Sequence, residues 1–495
     1  MKLPKGLKHI DEAAFYQSGL RSLTLPEGLE YLGSHSFSRC DNLTQINILG
    51  SLRIIREQTF SGCSSLAEIR LAEGPVRIDG CAFEGCESLA EISIPDSVDL
   101  IGEGIFKGCS RLKRIHWRGK LYTDIGEFEK ARHELVDLSL VAVRADQSWA
   151  YWDCRYLNKA TVPDGITEIG EYAFDSCWRL KEHRLPEGIK YIGSRTIAGC
   201  RSLTELHIPE GVAAVKRRAF RGCHSLRKAA LPASLREIGK LAFAHCRSLS
   251  RVRLPEGITV IAAGVFKDCR RLVRAHLPGS VAAIEKRAFY RCTSLNSIKI
   301  PAAVRSIGEE CFSYCYNLQR GVIPKGVAVI PFAAFAFCTD LEAVIFPAGL
   351  TEIGSSSFEE CRFLEELILR EGLKKIGPSA FRSCANLENL ILPDGFEEIG
   401  SSAFEFCGSL KSLVIPDSVK RIGSKAFRGC RRLKQIVIPD SIAELDLSAF
   451  ELCGGLESVS FRGRIYTNLE AFREAAEKSC SVQKVSEDGV PDSLT

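Results

Sequence analysis

The sequence predicts a repeat solenoid, and three observations carry that expectation. A cysteine recurs every 23 residues from Cys154 through Cys453, fourteen in register, and Cys40, Cys63, Cys86 and Cys109 keep the same step. Each stands three residues after a large apolar residue, as in Phe60 and Cys63, Phe289 and Cys292, or Ile197 and Cys200. Each is followed at fixed offsets by Leu, two mostly apolar residues and usually Pro, as in Cys430, Leu433, Ile436, Ile438 and Pro439. Length alone would suggest about three domains at roughly 150 residues each. An unbroken period overrides that prior, because it marks stacked units that share one core.

Within a unit, Leu-x-x-Ile-x-Leu alternates apolar and polar residues, the pattern of a short strand with one buried face. Pro then ends the strand, since it has no N–H to give to a ladder. The following Ile-Gly-x-x-Ala-Phe-x-x-Cys is too short for more than a tight turn and about one helical turn. One unit cannot bury its own apolar side. Stacked copies can, with parallel strands and continuous internal columns of Phe, Leu and Cys. The eighteen in-register cysteines are therefore expected as small, inert core thiols without disulfides. Cys480 stands outside that register and is expected to be the more reactive thiol.

These residues and their spacing resemble the 23-residue BspA-like class of leucine-rich repeats, over nearly the whole chain. The resemblance implies a right-handed leucine-rich-repeat stack, with one parallel β-sheet face and turns or single-turn helices opposite. It also implies adhesion or protein binding, usually at cell surfaces. The N-terminus, Met1 to Phe15, carries no apolar core or small-residue cleavage site of the kind a secretory signal needs. The expectation is a cytoplasmic chain, with surface location open if the sequence is a fragment or is exported by another route.

The period slips once. Trp117-Arg118-Gly119-Lys120-Leu121-Tyr122-Thr123-Asp124 recurs near the C-terminus as Phe461-Arg462-Gly463-Arg464-Ile465-Tyr466-Thr467-Asn468. Both copies continue into a helix-like piece containing Phe128 or Phe472. A duplicated cap of this kind divides the chain into a first array, 1–116, and a degenerate joint, 117–149. A second array of fourteen repeats, 150–460, then runs to a cap, 461–484, and a disordered tail, 485–495. Leu135, Leu138 and Leu140 read as a strand that lets the stack continue past the joint. Trp117, Trp149, Trp152 and Trp178 lie at or near it and read as space-filling rings.

Chemistry is sparse. Lys and Arg number 66 against 61 Asp and Glu, a net charge of +5 that by itself points to no polyanion. No apolar run approaches the roughly 20 residues of a membrane span. His-Glu-x-x-His, phosphate-loop and Gly-x-Gly-x-x-Gly motifs are absent, and His133-Glu134 lacks a second histidine four places on. Cys311 and Cys315 form a lone Cys-x-x-x-Cys, and His183 falls on an inward strand position as a satisfied core residue. The chain is expected to be non-enzymatic, with no metal or cofactor.

The residues between inward strand positions should face solvent. Lys228, Arg251, Arg253, Arg274, His276, Lys299 and Arg320 make a basic zone there. Val322, Ile345, Ile368, Ile391, Val414 and Val437 follow as an aliphatic column, edged by Glu342, Glu365, Glu366 and Glu388. Exposed β-branched residues also suit strands for their own sake. Six in a row, spanning roughly 25 Å at strand spacing, make an interaction surface. The expected function is a monomeric scaffold that binds a protein through this face. The alternative is a binder of nucleic acid or another polyanion through the basic zone.

Overall fold

The computed structural model describes residues 3–98, 100–135, 151–154, 157–162 and 165–477. Leu138, Leu140, Trp149, Cys480 and the expected tail lie outside the described residues. Compactness divides the chain into two units, one of residues 1–189 with 195–203, the other of 190–194 with 204–495.

Most described repeats share one course, set by their pattern. A strand of three or four residues, such as Glu366–Ile368, runs parallel to its neighbours in a 23-residue register, Ile345 opposite Ile368 opposite Ile391. A turn at Pro leads to a second strand of two residues, such as Lys375–Ile376, parallel to Glu352–Ile353 and Glu398–Ile399. Gly then lets two repeats touch: a Cβ on Gly400 would lie 2.5 Å from the Pro378 nitrogen. The Phe and Cys segment closes the turn.

Of the turns or single-turn helices expected here, the closing segment is nearly always the turn. Residues two before and two after the Phe take left-handed φ, 52° at Ser356 and 62° at Glu360 around Phe358. These kinks aim N–H groups along the stack instead of along the chain. Ser356, Phe358 and Glu360 donate to the carbonyls of Pro378, Ala380 and Arg382 at 2.7–2.9 Å. The turns thus form a third hydrogen-bonded layer, and Leu447–Phe450 is the one short helix among the described turn segments.

The core is a set of columns. Phe335, Phe358, Phe381 and Phe404 stack face to face at 5.2–5.3 Å between centroids. Most ladder cysteines donate their S–H to the carbonyl of the ring residue 26 positions earlier, as Cys361 does to Phe335 at 3.3 Å and Cys177 to Tyr151 at 3.1 Å. No disulfide occurs among the described residues, and nineteen of twenty described cysteines are buried. Burial pushes the Cys315 thiol up to about 12, which suppresses the thiolate and its reactivity.

In the first unit, the face strands Arg114–Trp117 and Lys120–Tyr122 close antiparallel through Arg118 and Gly119, both at positive φ. This Arg-Gly turn matches the twist of the strands. Helix α1 (Ile125–Leu135) follows, its first turn capped by the Asp124 carboxylate accepting from Glu127 N–H at 3.0 Å. Phe128 plugs the end of the Phe column, 5.6 Å from each of Phe106, Trp117 and Tyr122. In the second unit, Ser458–Phe461, Arg464–Tyr466 and α2 (Leu469–Glu477) repeat this device. Asn468 is the capping side chain, and Phe472 the plug against Phe450, Phe461 and Tyr466.

Past the joint, Tyr151 stacks on Phe174 at 5.3 Å and starts a new ring column. Here the first unit gains a contact across 75 residues of sequence. Arg77, buried, donates to the Trp152 carbonyl, to the Asp153 carbonyl at 3.1 Å and to Asp79 at 2.9 Å. The Arg56 guanidinium lies between the Tyr31 and Trp152 rings, 4.6 and 4.4 Å from their centroids.

Candidate binding face

The exposed side of the second unit is an eight-stranded sheet from Arg320–Val322 to Arg464–Tyr466. Before it lies a three-stranded sheet of Arg251–Arg253, Arg274–His276 and Ser297–Ile298. Strand residues alternate sides. In Glu366–Ile368, Leu367 is buried between two exposed neighbours, and the same pattern recurs at Arg251–Arg253, Arg274–His276 and Ser412–Val414. The expected site residues accordingly sit on the solvent side. Val322, Ile345, Ile368, Ile391, Val414 and Val437 are 43–75% exposed. Lys228, Arg251, Arg253, Arg274, His276, Lys299 and Arg320 are exposed as well.

Charge separates this face from the rest of the unit. On the turn layer, Arg382 bridges Glu359 and Glu405, and Arg428 bridges Glu405 and Glu451, at 2.8–3.4 Å. Along the two-residue strands, Lys375, Glu398, Arg421 and Glu444 pair in the same stepwise manner. On the face, Lys228 pairs with Glu205 and Glu388 with Lys411. Arg251, Arg253, Arg274, Lys299, Arg320, Glu342, Glu365 and Glu366 make no ion pair among the described residues. The turn layer and the two-residue strands thus hold runs of paired charge, whereas the face leaves cations from 251 to 320 and carboxylates from 342 to 366 uncommitted among the described residues.

The histidines behave unequally. His207 and His276 are exposed on separate strands. His183 is buried against Phe174, ring edge to face at 4.6 Å, as its strand position required. It is not satisfied, however: neither ring nitrogen has a hydrogen-bond partner among the described residues. Burial holds its imidazole down at about 4. Among the described residues no group of three His, Cys, Asp or Glu side chains is arranged to hold a metal.

The turn layer was not singled out by sequence, yet it carries aromatic residues in register. Tyr290, Tyr314, Tyr316 and Phe337 cluster over two to three repeats. The signal available was the residue two after each ladder Phe, read down the 23-residue step: Arg291, Tyr314, Phe337.

With this geometry in view, comparison with known proteins gives a direct answer on family. The model for the BspA type leucine rich repeat region matches residues 1–128, 147–273, 262–387 and 351–484. The chain belongs to that family. A leucine rich cell surface protein of Faecalibacterium prausnitzii is 28% identical, with a TM-score of 0.40, over 62% of this chain and 88% of that one. A leucine-rich repeat protein of Bacteroides ovatus is 23% identical, with a TM-score of 0.34, over 88% of this chain and 83% of that one. The pneumococcal vaccine antigen PcpA is 20% identical, with a TM-score of 0.35, over 66% and 80%. No match was found among the curated proteins. The BspA-type chain is a repeat scaffold, and no helix among its described residues is long and apolar enough to cross a membrane.

Proposed function

We infer that this BspA-type scaffold is a non-enzymatic protein-binding module that takes its partner along the exposed sheet of the second unit. One observation carries the reading: six exposed aliphatic rungs in register, from Val322 to Val437, flanked by charges that the chain leaves unpaired. Contiguous exposed apolar surface of this length is costly to keep in water unless something covers it. The fitting partner lays acidic groups over Arg251, Arg253 and Arg274, apolar groups over Ile345, Ile368 and Ile391, and basic groups over Glu342, Glu365 and Glu366. A polyanion would use the cations only and leave the apolar rungs bare, so a protein is the better fit.

A second copy of the chain is a poor occupant, which supports a monomer. A two-fold contact must match a surface to itself. Pairing the cations with the carboxylates puts the axis between the Arg320 and Glu342 rungs, and Ile368 then lies on Lys299. Matching the apolar rungs puts it between Ile368 and Ile391, and Glu365 then lies on Glu388. No single axis serves both. For location, the described ladder cysteines are buried and form no disulfide with one another, which suits a reducing compartment.

Capture of partners with the full chain tests the reading against a variant carrying Ile368→Glu and Ile391→Glu. A protein retained by the parent and lost by the variant is the expected result. Equal retention by both, with the fold intact, would remove this face from the function.

A further inference from the structure

The turn layer of the second unit carries one cluster used neither by folding nor by the sheet reading. Arg291, Tyr314 and Phe337 occupy consecutive rungs in the register two residues after the ladder Phe. Tyr314 stacks on Phe337 with centroids 4.5 Å apart and planes 2° from parallel. One rung earlier, the Arg291 guanidinium lies over the other side of Tyr314 at 5.4 Å. Tyr290 and Tyr316 meet Tyr314 edge-on at 5.4 and 6.2 Å. Lys267, Arg287 and Arg291 each lie over the Tyr290 ring at 5.4–5.5 Å.

The fold does not ask for these side chains. Arg291, Tyr314 and Phe337 have φ of 58°, 61° and 61°, a region that bulky residues seldom occupy. Gly222, Ser383, Glu360 and Leu452 fill the same register elsewhere. The register accepts Gly, Ser, Glu or Leu alike, so folding does not specify Arg, Tyr and Phe on three consecutive rungs.

Electrostatics gives the class of visitor. An aromatic ring is negative on its faces and positive at its edge. Both faces of Tyr314 are covered, one by a cation and one by Phe337. What remains for a visitor is ring edges, tyrosine O–H donors and two cations, Lys267 and Arg291, that make no ion pair among the described residues. All of these attract negative charge. We propose that this cluster is a second interaction surface, which takes an acidic segment of a partner protein. Carboxylates of that segment lie on Lys267 and Arg291 and accept from the tyrosine hydroxyls. A polymer that stacks its bases needs open ring faces, and Tyr314 offers none. Tyr and Arg together are also the residues that dominate protein contact centres.

The probe is a fluorescent Glu-rich peptide, titrated against the full chain with Arg251→Ser and Arg274→Ser already in place, so that the sheet cations do not contribute. Adding Lys267→Ser and Arg291→Ser should weaken binding by about tenfold, the worth of one or two charge-assisted contacts. Adding Tyr314→Ser and Phe337→Ser instead leaves the net charge unchanged and should weaken it by about threefold or more. Serine already stands in this register, and an unchanged melting curve checks that the repeats persist. Binding indifferent to the Tyr314 and Phe337 pair would reduce the effect to diffuse charge and overturn the proposal. So would tighter binding of an oligothymidylate or an anionic glycan of equal charge. Neither outcome bears on the sheet face, whose variants are read with a different ligand.

Discussion

Replacing Phe358 by Ala should destabilise the second unit by about 3–5 kcal/mol, the cost of emptying a large site in a packed core. Phe358 is fully buried, stacked on Phe335 at 5.3 Å and Phe381 at 5.2 Å, with Phe346 edge-on at 5.6 Å. The hole interrupts a column instead of denting a globule. Stability in a stack is roughly a sum of repeat terms and nearest-neighbour terms, so the loss falls on the two interfaces around one repeat. Chemical denaturation should show an earlier and broader transition than in the parent. Phe332→Ala is the control: that ring is 48% exposed, and the change should stay within about 0.5 kcal/mol. Equal effects from both substitutions would mean the ring column does not carry the stack.

His183 should make the first unit acid-sensitive by a comparable amount. Its imidazole is buried beside Phe174, without a partner for either nitrogen among the described residues, and burial lowers its pKa to about 4. An unfolded chain titrates this group near 6.5. Below that value the unfolded state binds the proton and the folded state does not, so stability falls as pH drops. The loss begins near pH 6.5 and is complete near pH 4, about 3 kcal/mol in all. Leu206, one repeat on, holds the same strand position, so His183→Leu should fit. Melting temperatures at pH 7 and pH 4.5 should differ less in the Leu variant than in the parent. The same pH slope in both would place the acid sensitivity elsewhere.

The parts of this molecule that repeat are legible in its sequence. A 23-residue register of Phe, Leu and Cys defines which side chains face inward, and parity along a strand then defines which face outward. Ile345, Ile368 and Ile391 stand where that parity put them. The duplicated Trp117–Asp124 and Phe461–Asn468 segments likewise form matching hairpin caps with Phe128 and Phe472 as plugs.

What repetition does not encode was harder to see. The second sheet has two residues per strand, too few for an alternation to register. The turn layer, expected as turns or single-turn helices, depends on left-handed positions such as Ser356 and Glu360, which many residue types occupy without leaving a signature. Arg77 reaches the carbonyls of Trp152 and Asp153, a contact 75 residues distant that no local pattern announces. His183 was placed correctly as a core residue, but its missing partners depend on what surrounds it. The Tyr314 and Phe337 column was hidden because turn residues between ladder positions read as solvated.

The sheet face from Lys228 to Val437 is the proposed seat of the partner. Its direct test is the affinity of a purified cognate protein for three forms of the full chain: the parent, an Ile368→Thr and Ile391→Thr variant, and an Arg251→Ser and Arg274→Ser variant. Threonine keeps the β-branched shape of the strand, so melting should be unchanged while apolar contact is lost. Each double variant should bind at least about tenfold more weakly, since central contacts carry most of an interface's energy. Added salt should weaken the parent and the threonine variant more than the serine variant. Parent-like affinity in both variants would contradict the assignment of this face.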